Sequence, residues 1–317
     1  MKFLVTGATG LVGRKIAKRW TEKGHELVVL TGRIQRARAS FPYPARFFEW
    51  DAEKGEPPAD AFEGVHGIIH LAGESVAQGR WNPERKARIR DSRVAGSRNL
   101  FTAALEAKTS GRAPLKTIVS ASAIGFYGDR GHEILDETSA KGKGFLSDVT
   151  WAWEDETLHS PMALALKKQG VRLAALRIGM VLAKEGGALK ELLPLYRKGL
   201  GGPVGSGNQW VSWIHIEDLV SAFEAAAMSP QLEGPINAVA PKWVTNAQFA
   251  KTLGKALDRP AILPAPAFAL KLALGEMSEL VLGSQRVDPV QLNRSGFQFR
   301  YPSLEEAFRD LLGKPSA

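Results

Sequence analysis

Residues 1–20 read MKFLVTGATGLVGRKIAKRW. Phe3 to Thr6 is a short apolar, β-branched run stopped by glycine, the pattern of a buried strand. Gly7, Gly10 and Gly13 follow as G-x-x-G-x-x-G, and Ile16, Ala17 and Trp20 then recur at helical spacing. Strand, glycine turn and helix in that order are the context in which such a motif carries meaning. The first glycine permits a tight turn, the second lets backbone approach a pyrophosphate, and the third lets helix and strand pack closely. The helix start then offers unpaired N–H groups and a positive dipole end to phosphates. Gly7, Thr9, Gly10, Leu11, Val12, Gly13 and Arg14 are therefore candidate cofactor contacts. The spacing departs from the G-x-G-x-x-G of the simplest dinucleotide folds.

A second strand is predicted over residues 25–30, and it ends Leu30-Thr31-Gly32-Arg33, with Arg36 and Arg38 behind. NAD-preferring sites place a carboxylate near this strand end to accept from the ribose hydroxyls. None stands here. The rigid, permanently charged fork of arginine suits a 2′-phosphate instead. The expected cofactor is therefore NADP (NADPH), with Arg33 as its main contact and Arg14 within reach.

The rhythm continues. Residues 46–50 read as a third strand closed by Asp51, and residues 67–71 as a fourth, running into Leu71, Ala72, Gly73 and Glu74. A long helix is predicted over 83–107, a fifth strand over 116–120, one helical stretch over 151–169 and a sixth strand over 172–177. Alternating strands and helices imply an α/β fold: a Rossmann-like, doubly wound parallel sheet with right-handed crossovers. Ligands of such sheets bind at the carboxyl ends of the strands. This adds Asp51, Leu71, Ala72, Gly73, Glu74 and Ser120 to the cofactor candidates. After Val181 the pattern loosens into a glycine-rich loop over 198–209. A short strand over 213–216 follows, then helices over 217–228 and 246–257, and an apolar helix around 267–282. The expected division is a cofactor domain over 1–181, with 211–240 returning to it, and a smaller C-terminal lobe from 182–210 and 241–317.

The chain has 317 residues and no cysteine, which excludes disulfides, cysteine-ligated metals and a cysteine nucleophile. Cytosol is the expected compartment. No stretch approaches bilayer length, and the start lacks a signal-peptide layout. The formal charge is +9. Its densest stretch, RWNPERKARIRDSRVAGSR over 80–98, has the spacing of a solvated helix face. No nucleic-acid signature is present. The expected partner is a small-molecule substrate, with neither nucleic acid nor membrane. His215 lies in the apolar run WVSWIHIEDL and reads as a satisfied core histidine. No cluster has metal-ligand spacing, so no metal is expected.

VTGATGLVGRKI, HLAGESVAQGRW with Ser92-Arg93, SASAIGFYGDRG, WVSWIHIEDLV and VTNAQFAKTLGKAL together carry a resemblance that covers essentially the whole chain. It is similar to the extended and atypical short-chain dehydrogenase/reductases. More narrowly, it resembles the sugar-nucleotide-epimerase-like epimerase family proteins with a C-terminal domain of unknown function. The resemblance implies that Gly7, Gly10 and Gly13 hold the cofactor and that Leu71, Ala72 and Gly73 support its adenosine part. It puts the catalytic serine at Ser122, one alignment step from Ser120, and implies a homodimer.

One departure stands out. The superfamily's acid–base pair is a Tyr and a Lys four residues apart, and the matching segment, GFLSDVTW over 144–151, has neither. Tyr43, Tyr127, Tyr196 and Tyr301 all lack a lysine at plus four. Ser147 and Asp148, where the pair would begin, suit helix capping. Tyr127, a few residues beyond Ser122 and next to Asp129 and Arg130, is the candidate proton donor, since a neighbouring guanidinium lowers a phenol's pKa. The alternative is an aromatic wall. Two function classes follow: an NADP-dependent oxidoreductase or epimerase on a small, anionic or nucleotide-linked substrate, and a non-catalytic NADP sensor or scaffold.

Overall fold

Strand β1 (Lys2–Thr6) sends alternate side chains to opposite faces, as the two-residue period of a strand requires. Phe3 and Val5 join Trp20 and Phe223 on one face; Leu4 joins Phe101 and Leu166 on the other. Both faces are thus buried, which is why the first strand reads as an unbroken apolar run. This holds for the sheet built around it in the computed structural model, which describes residues 1–313.

The other strands of that sheet are β2 (Glu26–Thr31), β3 (Arg46–Glu49), β4 (Gly67–His70), β5 (Thr117–Ala123), β6 (Arg172–Ile178) and β7 (Gly234–Ala238). Their order is β3-β2-β1-β4-β5-β6-β7, with every pair parallel. Order reverses between β1 and β4, which opens the crevice where α/β sheets take ligands. Helix α1 (Leu11–Glu22) connects β1 to β2, and α2 (Ile34–Ser40) connects β2 to β3. Helices α3 (Pro83–Thr109), α4 (Phe145–Leu158) and α5 (Pro161–Lys168) follow β4 and β5.

The second lobe carries α6 (Gly187–Arg197) and, beyond α7 (Ile216–Met228), α8 (Asn246–Leu257) and α9 (Ala267–Leu274). Its core joins Leu189 and Leu193 to Phe249, Leu253 and Phe308. Three short strand pairs tie it together: Met180–Leu182 with Trp213–His215, Trp210–Val211 with Val244–Thr245, and Ile134–Leu135 with Arg286–Val287.

Strand β7 and helix α6 have no counterpart among the predicted elements, and three others differ in extent or continuity. Strand β5 runs on to Ala123, because its register with β6 continues to Ala123 opposite Ile178. Ser120 and Ser122 therefore lie inside a strand. The helical stretch over 151–169 is two helices. Pro161 cannot continue the first, and the Ser160 hydroxyl accepts from the Ala163 N–H to start the second. The apolar stretch over 267–282 also breaks. Gly275, at φ 60°, ends α9, and a 3-10 turn (Gly275–Ser278) leads to a short helix (Glu279–Leu282). Phe268 and Leu272 of α9 are 76% and 80% exposed.

Candidate functional site

The glycine turn is built by contacts that leave no room for a side chain. Gly7 has φ +66°, and a Cβ there would stand 3.0 Å from the Leu71 carbonyl carbon. At Gly13 a Cβ would fall 2.3 Å from the Gly7 oxygen, so α1 sits directly on the turn. Gly10 is the N-cap of α1 and brings no side chain to cap the first-turn amides of Leu11, Val12 and Gly13, and that turn has no acidic residue. An uncapped, carboxylate-free helix start suits an anion such as a pyrophosphate.

A cleft of about 700 Å³ opens at this turn. It brings together Gly7, Thr9, Gly10, Arg14, Arg33, Asp51, Leu71, Ala72, Gly73 and Glu74, with Arg36 beside Arg33. Arg14 Nε donates to the Thr9 carbonyl at 2.8 Å. Arg38 turns away and stacks over Phe47, 5.9 Å from its centroid. The two carboxylates of the cleft are each neutralised locally. Asp51 pairs with Lys54 at 2.9 Å, and that hydrogen bond holds its carboxyl below the usual range. Glu74 pairs with Arg85.

Six predicted site residues do not line the cleft. Leu11 packs into the second lobe's core, against Gly186, and Val12 between that core and the sheet's. With Gly13 they offer backbone alone. Ser120 is fully buried, its hydroxyl 3.3 Å from the Ala121 carbonyl. Ser122 and Tyr127 belong to a different constellation.

Ser122 on β5, Arg177 on β6 and Asn237 on β7 stand in one register row and are all buried. Glu154 of α4 covers the row: its carboxylate accepts from the Ser122 hydroxyl and takes Arg177 in a two-pronged pair, Nε at 2.9 Å and Nη2 at 2.7 Å. The other arm of Arg177 donates to the Tyr127 oxygen at 2.9 Å. The phenol lies 2.7 Å from Asn237 Oδ1. Tyr127 is thus sealed in the core, and burial, outweighing Arg177, pushes its pKa up to about 12. It is no proton donor at the cleft. The guanidinium beside it is Arg177; Arg130 instead pairs with Glu133 at 2.6 Å. Where the missing Tyr would stand, Ser147 is buried and donates to the Phe126 carbonyl at 2.8 Å. Asp148 is bound to Lys141.

Sequence reasoning missed Thr6, His70 and Arg93. Thr6 Oγ1 accepts from the amides of Leu71 (3.0 Å) and Ala72 (3.1 Å), so its proton goes to His70 Nδ1 at 2.8 Å. This fixes the Leu71–Gly73 wall of the cleft. Burial, with the charge of Arg93, lowers the His70 pKa to about 4. Arg93 Nη1 ties α3 to the same wall, donating to the Glu74 and Ile89 carbonyls, both at 2.9 Å. Burial lowers its pKa to about 10. A threonine ending a strand, with a histidine at the end of the neighbouring strand, is the signal that was available.

His215 caps α7: its Nδ1 accepts from the Glu217 amide at 3.1 Å, and Nε2 lies 3.3 Å from Asp310. It stacks on Tyr301 and is held neutral, its pKa lowered to about 4 by burial against the pull of Asp310.

The profile of the NAD dependent epimerase/dehydratase family matches residues 3–238. The chain belongs to that family. A domain of unknown function, DUF1731, matches residues 265–311 of this epimerase-family chain. The chloroplastic epimerase family protein SDR39U1 homolog of Arabidopsis thaliana is 36% identical over 315 residues, covering 98% of this chain and 87% of the relative. Epimerase family protein ML0860 of Mycobacterium leprae is 35% identical over 314 residues, covering 98% and 96%. Human epimerase family protein SDR39U1, solved with NADPH, superposes with a TM-score of 0.83 at 30% identity, covering 99% of this chain and 100% of that one. Among the described residues no helix is long and apolar enough to cross a membrane.

Proposed function

We propose that this epimerase-family chain binds NADPH in the cleft and is an oxidoreductase or epimerase acting on a small anionic substrate. One observation carries the reading: the uncapped start of α1 faces a cleft that also holds Arg33 and Arg36, with no carboxylate at the end of β2. The human relative solved with NADPH supports the same cofactor. NADPH, when bound, supplies a hydride. The rest falls to the protein. First-turn amides of α1 face the pyrophosphate. Arg33 and Arg36 hold the 2′-phosphate. The Leu71–Gly73 turn, clamped by Thr6, walls the adenosine side. Residues 1–181 and 211–240 carry the cofactor, and the remaining lobe bears the substrate. Glu154 orients the Ser122 hydroxyl. With Tyr127 sealed and Ser147 committed to backbone, proton transfer runs through water.

A second reading, an NADPH-dependent sensor, is favoured by those same two residues. The test is loss of NADPH absorbance against a panel of aldehydes and ketones bearing a carboxylate or a phosphate. We expect turnover with at least one member of the panel. Intact NADPH binding with no turnover across the panel would overturn the enzyme reading and leave the sensor.

A further inference from the structure

Arg286 lies between two indole rings. Its guanidinium carbon is 4.1 Å from the centroid of Trp243 and 4.5 Å from that of Trp210. Both indole N–H groups are already spent, Trp243 on the Val287 carbonyl at 2.9 Å and Trp210 on His132 Nδ1 at 3.0 Å. The rings are therefore held in place. The guanidinium is not engaged. Its Nε is buried without a partner. Among the described residues no carboxylate lies within ion-pairing reach of it, and none of its side-chain nitrogens has a hydrogen bond. The two arginines that are buried outright are each paired, Arg177 with Glu154 and Arg85 with Glu74, whereas Arg286 is half-buried and has no such partner.

A guanidinium that loses part of its hydration normally gains a polar or charged partner, because that hydration must be replaced. Here two π-faces replace part of it. They also cover both faces of the plane, leaving the edge, where all five N–H donors point. A ligand for that edge must bring two acceptor oxygens in the plane, as a carboxylate or a phosphate does.

The position fits such a ligand. Arg286 pairs with Ile134 in a two-residue parallel ladder. Its neighbour Gln285 donates to the carbonyls of Ile124 (3.0 Å) and Gly128 (3.1 Å), in the turn that directly follows β5. The ladder that carries Arg286 is thus tied, through Gln285, to the end of the strand that carries Ser122.

We propose that Arg286, clamped by Trp210 and Trp243, is the recognition group for the anionic end of the substrate, a carboxylate or a phosphate. Only the word substrate rests on the functional reading above; the anion site does not.

The test is a titration of ¹⁵N-labelled protein saturated with NADPH, following the indole N–H signals of Trp210 and Trp243, assigned with Trp210→Phe and Trp243→Phe. Inorganic phosphate and succinate are the two probes, with chloride at matched ionic strength as control. A saturable shift of both signals is expected with one of the probes, and the responding probe names the class. Arg286→Lys, which keeps the charge and loses the fork, weakens it about tenfold or more. Arg286→Met abolishes it, and both variants keep wild-type NADPH affinity. Should Arg286→Met fail to fold, Arg286→Lys still decides. No shift with either probe, or an unchanged shift in Arg286→Lys, overturns the proposal. If NADPH itself does not bind, the cofactor reading fails, while the same titration without it still decides Arg286.

Discussion

A single proton settles the character of the cleft wall. Thr6 accepts from two amides and gives its own hydrogen to His70, which leaves that histidine neutral with a proton on Nε2. Tyr127 shows the same dependence on neighbours. Its partners Arg177 and Asn237 lie 50 and 110 residues further on and reach it only through strand register. No local pattern announces that, so the sequence paired Tyr127 with Arg130. Removing the phenol oxygen leaves buried groups short of a partner. Tyr127→Phe is expected to cost about 1–3 kcal/mol in urea denaturation and to leave NADPH affinity unchanged. The cleft residues Gly7, Gly10, Arg33 and Ala72 were legible because each sits within a few residues of a strand end, where chain order alone fixes position.

Elements depend on contacts that a motif shows incompletely. The glycine turn reads well because most of its demands are local: a positive φ at Gly7 and the approach of Gly13 to the Gly7 carbonyl. Gly13→Ala would drive a methyl into the Gly7 carbonyl, 2.3 Å away, so α1 must shift off the turn. We expect a loss of about 3 kcal/mol or more and, in a variant that still folds, NADPH binding weakened about tenfold. The break between α4 and α5 was missed, although Ser160-Pro161, a capping serine followed by a first-turn proline, signals it. The role of α4 was not legible. Its Glu154 matters because it covers the row Ser122–Arg177–Asn237, and a lone Glu in a helix gives no hint of that. Glu154→Leu strands a buried guanidinium and is expected to cost about 3–5 kcal/mol in thermal or urea denaturation. Replacing Glu154 and Arg177 together with apolar residues should recover much of it.

At the scale of the whole molecule, pH reports on the buried histidines. Unfolded histidine titrates near 6.5, whereas burial holds His70 and His215 to about 4. Between those values the unfolded chain binds protons that the folded chain refuses. Their contribution is therefore full above pH 6.5 and is lost as pH falls toward 4. Buried Asp218 and Glu137, with carboxyls raised by burial, act in the opposite sense within the carboxylate range. Across pH 7 to 4, His70→Asn should lose about 3 kcal/mol less than wild type in urea denaturation. An equal pH dependence in the two proteins would show that His70 is not held neutral. The alternation of strands and helices gave away the parallel sheet, since each unit is a local pattern. The lobe was harder to read, because its short strand pairs join residues far apart in the chain, such as Ile134 and Arg286.

We propose above all that the glycine turn and the arginines after β2 hold NADPH. Calorimetry with NADPH, NADP, NADH and NAD, on wild type and Arg33→Ala, tests it most directly. NADPH and NADP are expected to bind more tightly than their unphosphorylated counterparts. Arg33→Ala should narrow the gap by about tenfold, by weakening the phosphorylated pair alone. Equal affinity for NADH and NADPH would contradict the role of Arg33, and binding of none of the four would leave the glycines holding only a turn.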